Sequence, residues 1–367
     1  MESNNKKKIA VILGARPNFI KAAPFFKEAI NHPEFEFVLI HTGQHFDDNM
    51  SKIFFDEMGI PKPHIHLDTK GEFHTEKIGK MFNGLKDVFE KEKFDAAIVF
   101  GDVNSTLAGG IASAKNNCHL IHIEAGLRSH DRRMPEEINR AVVDHLSELL
   151  FTTEPSANNN LIKEGITQDK IRYVGNILTE SIEVFKDKIN NSNIVESLGL
   201  DKKQYVLITV HRQENTDSAS NLKEILSMLN EINKKRRVVF PLHPGTRKII
   251  SEYNLDHLIK DLIITEPLGY FEFMKLALDS KGVITDSGGI QEETTYLGIP
   301  CCTLRDNTER PITLKLGSNK LFPIKLESVS QILEHLNRDD FKPRNIPLWD
   351  DKVSKRIFDC LKKEYFK

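Results

Sequence analysis

The sequence predicts an α/β protein of two domains, each built on a parallel β-sheet with helices on both faces. Three observations point to this fold class. The chain has 367 residues, whereas a typical domain holds roughly 150. Apolar residues make up 39 % and charged residues 28 % of the chain, so each half can form an ordinary globular core. Short apolar runs alternate with longer helical patterns throughout, as they do in βαβ units.

The short apolar runs predict the strands. They are rich in Val and Ile and are followed by glycine or polar residues, which is typical of strands buried on both faces of a parallel sheet. The predicted strands are Ile9–Leu13, Phe35–His41, Ala96–Phe100, Leu120–Ile123, Leu149–Thr152, Tyr205–Val210, Val238–Leu242, Leu262–Ile264, Gly282–Thr285 and Cys301–Leu304. Between them, helical periodicity is clear at Phe19–Asn31, Thr75–Lys91 and Asn221–Lys234. This order of elements predicts a doubly wound sheet in each half.

The boundary between the domains is predicted near residues 176–181. The strand-like residues Tyr173–Gly175 precede it, and the polar stretch Lys188–Ser197 follows it. The first domain is therefore expected to span residues 1–176 and the second residues 177–353.

Charge and cysteine content narrow the function classes. With 51 Lys and Arg against 53 Asp and Glu, the formal net charge is −2, which argues against a nucleic acid or a membrane surface as the main partner. The four cysteines form no Cys-x-x-Cys motif, so we expect free thiols in a cytoplasmic protein and no metal site. No apolar run reaches the roughly 18 residues of a membrane span. The apolar run Ile9–Leu13 predicts a first strand rather than a signal peptide.

Functional side chains of open α/β sheets collect where strands end, and the first strand ends in suitable residues. It runs into Gly14, Arg16 and a helix carrying Lys21, without the Gly-x-Gly-x-x-Gly pattern of dinucleotide-binding folds. A glycine turn followed by two cations at a helix start suits a bound anion. A tight turn with two solvated cations explains the same residues, so both interpretations stay open at this point.

Three acids follow later strands of the first half. Asp102 stands where a helix should begin, as either its N-cap or a reactive carboxylate. Glu124 directly follows an apolar run, where a structural role is harder to find. Glu136 follows Pro135 at a predicted helix start, where the helix dipole also stabilises a carboxylate, so a structural role explains it as well. Acids in successive strand-end loops predict a carboxylate cluster that shares proton transfer.

The first strands of the second half also end in polar side chains. His211 and Arg212 follow the first of them, and His243 follows the next. A single histidine is more often structural than catalytic. His211 is nevertheless a candidate, because it stands at a strand end beside an arginine, in the domain expected to face the carboxylates.

The sharpest local pattern is the turn Ser287-Gly288-Gly289, which follows an apolar strand and opens a helix. Free backbone N–H groups and the helix dipole make such a turn a site for a diphosphate. Glu293, expected in the first turn of this helix, is able to hydrogen-bond a ribose diol. Arg305 and Arg310 follow the next strand and are expected to flank the same diphosphate.

Together these segments resemble the non-hydrolysing UDP-N-acetylglucosamine 2-epimerases. The similar stretches run from Gly14 to Pro311 in the order and spacing of that family, and Trp349–Leu361 resembles its C-terminal helix. The stretches are GARPNFIK, GDVNST, HIEAGLRS, MPEEINR, the surroundings of His211-Arg212, SGGIQEE and RDNTERP.

The resemblance implies a glycosyltransferase-B-like fold, in which two Rossmann-like domains enclose a cleft and a C-terminal helix, residues 354–367, completes the first domain. It also implies a homodimer, a UDP-sugar substrate, no cofactor and a role in cell-surface polysaccharide biosynthesis. The positions that match the family's catalytic and sugar-side residues are Arg16, Lys21, Asp102, Glu124, Glu136 and His211. Ser287, Gly288 and Glu293 match its diphosphate and ribose ligands, Phe273 matches its aromatic position near uracil, and Arg212 and His243 are further candidates on the phosphate side.

The activity implied is the reversible conversion of UDP-N-acetylglucosamine to UDP-N-acetylmannosamine by loss and re-addition of UDP. A hydrolysing 2-epimerase, which releases N-acetylmannosamine and UDP, shares these motifs and stays open. So does a 2,3-diacetamido sugar substrate, because Asn307 and Ile312 depart from the Thr and Glu of many relatives. A glycosyltransferase of the same fold would need an acceptor-binding segment, and none is evident in this sequence. A protein that only binds a sugar nucleotide would not need the full set of acid and base residues.

The loop that begins at Gln44 differs from that of many bacterial members of the family that this sequence resembles. Many bacterial relatives bind a second, activating UDP-N-acetylglucosamine with a Gln-His-Arg loop. Here Gln44 and His45 are kept, but Phe46 replaces the cation and Asp47 adds negative charge. Loss of a charge-assisted hydrogen bond weakens binding, so we expect weak or no activation by a second substrate molecule. The alternative, that another cation such as Lys70 replaces the missing one, stays open.

Overall fold

A computed structural model describes residues 6–44, 55, 57–69 and 74–366. Phe46 and Asp47, on which the expectation about a second substrate molecule rests, lie outside the described residues. The chain divides into two compact units: the described residues of Met1–Val184 together with Leu348–Lys367, and Phe185–Pro347.

The first unit is built on a parallel sheet. Its strands are β1 (Lys7–Leu13), β2 (Phe35–His41), β3 (Ile65–His66), β4 (Ala96–Phe100), β5 (His119–Ala125), β6 (Leu149–Thr152) and β7 (Ile171–Tyr173). They are ordered β3-β2-β1-β4-β5-β6-β7, and every neighbouring pair is parallel. The strands β1 and β4 are almost wholly buried because helices cover both faces of the sheet.

The helices of the first unit carry apolar stripes that face this sheet. They are α1 (Arg16–Ala29), α2 (His74–Lys91), α3 (Asn104–Lys115), α4 (Pro135–Leu146), α5 (Pro155–Lys163) and α6 (Ile177–Val184), with a C-terminal helix at Val353–Cys360 that continues into a π-helical turn, Leu361–Tyr365. In α1, Phe19, Ala22, Ala23 and Phe26 are buried, which is the spacing of one helix face.

The second unit repeats the same plan. Its strands are β8 (Tyr205–Thr209), β9 (Arg237–Pro241), β10 (Ile263–Thr265), β11 (Gly282–Thr285), β12 (Cys301–Thr303) and β13 (Asn319–Leu321), in the parallel order β10-β9-β8-β11-β12-β13. Its helices are α7 (Lys186–Asn190), α8 (Ile194–Ser197), α9 (Gln213–Thr216), α10 (Ala219–Asn233), α11 (Pro244–Glu252), α12 (Tyr270–Asp279), α13 (Gly288–Leu297), α14 (Pro311–Lys315) and α15 (Val329–Leu336). The prediction of two Rossmann-like α/β domains is confirmed.

Both sheets contain a topological switch point, at which the strand order changes direction. In the first unit β1 lies beside β4, with Ile12 opposite Val99. In the second unit β8 lies beside β11, with Thr209 opposite Thr285. Ligands of doubly wound sheets bind at the carboxyl ends of such strands. We therefore expect the functional residues in the loops that follow β1, β4, β8 and β11.

The short edge strands β3 and β13 were not predicted. β3 has two residues and β13 has three, and neither forms an apolar run long enough to indicate a strand. Each is a strand only because its backbone completes the edge of an existing sheet, through the pairs Ile40–Ile65 and Cys301–Asn319. Such pairing depends on the tertiary structure rather than on local sequence.

The helix α6, which the predicted limit at residue 176 assigns to the second domain, belongs to the first unit. Its Ser181 hydroxyl donates to the carbonyl of Ile20 in α1 at 2.8 Å. The carboxylate of Glu180 accepts from the backbone N–H and the hydroxyl of Ser354, at the start of the C-terminal helix. These hydrogen bonds connect α6 to α1 and to the C-terminal helix, both of which belong to the first unit.

The C-terminal segment is an integral part of the first unit. Trp349 is 2 % exposed, and its indole N–H donates to the carbonyl of Thr153 at 2.8 Å. Phe358 packs against Phe25 of α1 with ring centroids 4.8 Å apart. The first unit therefore takes part of its core from the last residues of the chain.

Two glycines with positive φ provide a test of this docking. Gly175 has a φ of +92°, and a Cβ there would lie 1.9 Å from the carbonyl oxygen of Leu348. Gly165 has a φ of +88° with no atom near the position of its Cβ. We expect Gly165→Ala to lower the free energy of unfolding by about 1–2 kcal/mol, the cost of left-handed backbone. Gly175→Ala should cost more than about 3 kcal/mol, because Leu348 must also move. Urea unfolding of both variants measures the difference, and equal losses would contradict the tight contact at Leu348.

Candidate active site

A buried ion pair stands at the switch point of the first unit. The ammonium of Lys21, from α1, contacts the carboxylate of Glu124, from β5, and the two side chains are 7 % and 1 % exposed. A Cβ on Gly101, at the end of β4, would lie 3.1 Å from Lys21 Nζ and 3.9 Å from Glu124 Oε1. Gly101 has a φ of +61° and so turns the chain closely past both groups. Three elements thus bring a cation and a carboxylate together.

Glu124 owes its position to a β-bulge. It was expected directly after a strand, but it lies inside β5, where the pairing with β6 shifts between Ile123 and Ala125. Its φ of +73° is uncommon for a residue with a side chain. Bulges redirect side chains at functional sites, and backbone strain of this kind is concentrated there.

Asp102 is held from α4 rather than acting as a helix cap. The N-cap of α3 is Val103, so the capping interpretation of Asp102 is wrong. The guanidinium of Arg140 contacts the Asp102 carboxylate, and Asn139 donates to the Asp102 carbonyl at 2.8 Å. Arg140 and Asn139 therefore fix the position of Asp102 from α4.

Of the two acids that open α4, Glu136 and Glu137, it is Glu137 that has the structural role. Glu136 is half-buried in the first turn. Glu137 accepts from the backbone N–H groups of Ser129 and His130 at 2.9 and 2.8 Å and from Arg140 at 2.9 Å. Burial alone would raise the pKa of Glu137, but these bonds outweigh it and leave the pKa lowered. The i,i+3 spacing of Glu137 and Arg140 was the sequence signal for this pair.

Arg16, a further candidate of the first unit, lies at the start of α1. Arg16 is half-buried in its first turn, and Ala15 at the N-cap has no side chain able to cap the helix. Gly14 precedes them, and a Cβ there would lie 2.0 Å from the hydroxyl oxygens of both Thr42 and Ser105. The glycine is thus required for close packing, and Arg16 is presented at a helix start that suits an anion.

His211 and Arg212 follow β8 and share one buried carboxylate that sequence reasoning missed. Asp286, after β11, lies 3.0 Å from Nδ1 of His211 and accepts from the Arg212 backbone N–H at 3.0 Å. The Arg212 side chain donates to the Asp286 carbonyl at 2.9 Å. Because β8 and β11 are neighbours, the two loops meet at the switch point of the second unit.

The turn after β11 opens α13 as predicted. The helix begins at Gly288 with Gly289 next, and Ser287 is the N-cap but makes no side-chain capping bond. A Cβ on Gly288 would lie 2.3 Å from Arg310 Nη1 and 2.6 Å from Glu309 Oε1. The glycine therefore allows Arg310 to lie against the first turn of the helix, which is the arrangement expected for a diphosphate site.

Arg305 and Arg310 both lie in a buried network with carboxylates. Arg310 contacts Glu309 and lies 2.7 Å from Glu292, whereas Arg305 lies 2.9 Å from Glu309. Burial lowers the pKa of Arg305 below its usual value. The two acids were not singled out in the sequence, and they hold the arginines in fixed positions while offsetting part of their charge.

The nucleotide-side candidates Glu293 and Phe273 lie on adjacent helices. Glu293 is in the second turn of α13, so the prediction of the first turn is wrong. Its carboxylate accepts from the hydroxyl of Tyr270 at 3.0 Å, and burial raises the pKa of Tyr270 well above its usual value. Phe273 is partly buried and packs against the apolar cluster under α12.

His243 has a local structural task. It is exposed after β9, and its Nδ1 accepts from the backbone N–H of Gly245 at 3.1 Å. His243 thereby caps the N-terminus of α11. Because Nδ1 makes this cap, the expected contact of His243 with phosphate would have to use Nε2.

Among the described residues, no cluster of three or more His, Cys, Asp or Glu side chains is arranged to hold a metal ion. None of the helices formed by those residues has the length and apolar character needed to cross a membrane.

Comparison with known proteins supplies the family. The model of the UDP-N-acetylglucosamine 2-epimerase family matches residues 27–362. A UDP-N-acetylglucosamine 2-epimerase of Methanococcus maripaludis is 41 % identical over 361 residues, covering 95 % of this chain and 97 % of that protein. A UDP-2,3-diacetamido-2,3-dideoxy-D-glucuronate 2-epimerase of Pseudomonas aeruginosa is 42 % identical over 318 residues, covering 86 % and 88 %.

A solved structure gives the same result. The crystal structure of the Methanocaldococcus jannaschii UDP-GlcNAc 2-epimerase in complex with UDP-GlcNAc and UDP superposes with a TM-score of 0.90 at 38 % identity, covering 96 % of this chain and 99 % of that one. As the resemblance predicted, the chain belongs to the UDP-N-acetylglucosamine 2-epimerase family and is an epimerase.

Proposed function

We propose that the protein converts UDP-N-acetylglucosamine reversibly to UDP-N-acetylmannosamine. Epimerisation at C2 of a UDP-sugar is the reaction of its family. The observation behind this more specific assignment is the buried Lys21–Glu124 pair beside Gly101 at the end of β4, where Asp102 is the next residue along the chain. This arrangement supplies carboxylates and a cation within one site, which is what proton transfer at a sugar carbon requires.

The chemistry explains why such a set is needed. The C2 hydrogen is not next to a carbonyl, so simple deprotonation is very difficult, but C1 carries UDP, a good leaving group. A base removes the C2 proton, the C–H electrons form a C1=C2 double bond, and the C1–O bond breaks to release UDP. An acid then returns a proton to the opposite face of C2, and a UDP oxygen bonds to C1 again. Substrate and product are isomers, so the cycle balances without an oxidant or reductant.

The proposed residues divide by chemical role. We assign sugar binding and most of the proton transfer to residues of the first unit. In the second unit, His211 takes part in proton transfer, and helix N–H groups and arginines stabilise the developing negative charge of the departing diphosphate. In this proposal the catalytic residues are Lys21, Asp102, Glu124, Glu136 and His211, and the substrate-binding residues are Arg16, Arg212, His243, Phe273, Ser287, Gly288, Gly289, Glu293 and Arg310. A homodimer, a cytoplasmic location and a role in surface polysaccharide synthesis remain predictions.

Proton NMR of the protein with UDP-N-acetylglucosamine alone in D₂O tests the proposal. We expect UDP-N-acetylmannosamine to appear with deuterium at C2, because the removed proton exchanges with solvent before reprotonation. An epimer that carries only protium at C2 would contradict exchange and support return of the same proton. Accumulation of free N-acetylmannosamine and UDP would instead support the hydrolysing alternative.

A modified substrate is the second candidate, and one comparison favours it. The Pseudomonas aeruginosa relative whose name specifies a 2,3-diacetamido sugar is 42 % identical to this chain, as similar as relatives named for UDP-N-acetylglucosamine. Asn307, one of the two departures noted in the sequence, accepts from Arg305 at 3.1 Å and so lies beside the proposed diphosphate site. Repeating the NMR assay with the 2,3-diacetamido glucuronate nucleotide and comparing kcat/KM decides between the two substrates.

A further inference from the structure

The proposed function leaves one buried acid of the second unit unexplained. Asp286 has a fully buried side chain, whereas the ring of His211 beside it is 56 % exposed. Nδ1 of His211 lies 3.0 Å from Oδ1 of Asp286. The pair therefore joins a reactive ring that solvent or a ligand can reach to a carboxylate that neither can reach.

The other contacts of Asp286 determine which way the shared proton points. Its Oδ2 accepts from the backbone N–H of Arg212 and from the side-chain amide of Asn215, both at 3.0 Å. The backbone N–H of His211 lies 3.1 and 3.2 Å from the two oxygens. An ionised carboxylate can only accept hydrogen bonds, so the ring nitrogen that faces it must carry a hydrogen.

These donors also keep Asp286 charged. Burial alone raises the pKa of the Asp286 carboxyl, but the bonds from His211, Arg212 and Asn215 outweigh burial, and the pKa is lowered. Asp286 immediately precedes the turn Ser287–Gly288, which we assign to the diphosphate. An uncompensated carboxylate there would repel the ligand, so its charge calls for a cationic partner at the same place.

We propose that Asp286 is a positioning residue for His211. It holds the ring with hydrogen on Nδ1 and leaves Nε2 to face the UDP-sugar. In this orientation Nε2 can accept a proton and, once protonated, donate to the departing diphosphate, while the carboxylate stabilises the imidazolium that forms. The kinetic part of this inference rests on the proposed function, whereas the orientation of the ring does not.

The first test reads the ring directly. In ¹⁵N-histidine-labelled, ligand-free full-length protein, the His211 signals are assigned by their loss in His211→Asn. In the neutral form of the ring, we expect Nδ1 to carry the hydrogen and Nε2 to carry none. In Asp286→Asn, the amide oxygen can keep the three other donors only if its NH₂ group faces Nδ1, which should shift the hydrogen to Nε2.

Asn215→Ala is the matched control for this measurement. It removes one hydrogen bond from the same carboxylate but keeps its charge, so we expect the hydrogen to stay on Nδ1. A wild-type ring with bare Nδ1, or an unchanged tautomer in Asp286→Asn, would overturn the assignment. The wild-type spectrum alone decides the first point, even where a variant folds poorly.

The second test is a double-mutant cycle on epimerase turnover. Asp286→Asn should lower kcat at least about tenfold but no further than His211→Asn does, since residues acting as a unit are not additive. In the His211→Asn background, adding Asp286→Asn should change kcat by less than about twofold. A purely structural Asp286 would lower kcat equally in both backgrounds, and that result would refute its positioning role.

The two tests separate this inference from the proposed function. A wild-type protein with the expected tautomer but no C2 epimerisation of any UDP-sugar tested would support the Asp286–His211 arrangement and refute the proposed function. Epimerisation combined with additive effects in the double-mutant cycle would support the proposed function and refute the positioning role of Asp286.

Discussion

Replacing Glu124 with glutamine is expected to lower the rate of epimerisation at least about a hundredfold, the scale on which a general acid or base contributes. The amide cannot accept the C2 proton or return it. Asp102→Asn should cause a loss of the same order, because it removes the carboxylate that Arg140 holds at the end of β4. Turnover is measured by NMR with UDP-N-acetylglucosamine, and near wild-type rates in either variant would remove that residue from the mechanism.

The ion pair requires a control for stability. Glu124→Gln leaves the buried Lys21 without its carboxylate, and breaking a buried pair typically costs about 3–5 kcal/mol. The double variant Lys21→Gln/Glu124→Gln restores neutrality and should unfold closer to the wild type while remaining inactive. Glu164→Gln serves as the control, since Glu164 also pairs with a buried cation, the guanidinium of Arg128, but lies outside the proposed site. It should retain wild-type turnover.

Replacing Gly288 should have the largest effect on nucleotide binding. An alanine Cβ would lie 2.3 Å from Arg310 Nη1, so the Arg310 guanidinium must shift from its place beside the first turn of α13. Loss of a charge-assisted hydrogen bond of about 1.5–3 kcal/mol weakens UDP binding by a factor of ten or more. Gly288→Asp, which also places a negative charge against the proposed position of the diphosphate, should abolish measurable binding by calorimetry.

Gly269→Ala is the control for the helix-start substitution. Gly269 is the N-cap of α12, and the nearest atom to its Cβ position is 3.5 Å away, so alanine fits there. We expect UDP affinity to stay within about twofold of wild type, which is well below the loss at Gly288. UDP binding to Gly288→Asp with unchanged affinity would refute the assignment of this turn to the diphosphate.

The sequence predicted the sheets well because parallel strands buried on both faces leave a local signal. Ala96–Phe100 and Leu149–Thr152 are strands over the predicted residues, since helices on both sides of the sheet demand an unbroken apolar run. Ile65–His66 and Asn319–Leu321 carry no such signal. Their strand character comes from the neighbouring backbone, which local sequence does not encode.

The sequence predicted that the site residues lie at the ends of strands, but not which residues contact each other there. Strand-end loops that the topology brings together lie far apart in sequence, as His211 and Asp286 do, so no spacing rule connects them. The same holds for Arg140 and Asp102. The left-handed backbone of Glu124 was also unpredictable, because a bulge depends on the register between two strands rather than on the residue itself.

The return of the chain to the first unit has a consequence for its biosynthesis. Trp349 and Phe358 fill the core of a unit whose other residues end at Val184, so the ribosome must translate all of Phe185–Pro347 before they are available. At typical elongation rates of about 5–20 residues per second, that takes on the order of ten to thirty seconds. The second unit, continuous in sequence, can complete its fold as it emerges from the exit tunnel. The nascent first unit would meanwhile expose the apolar surface around Phe25, and this is the period in which a chaperone would shield it from aggregation.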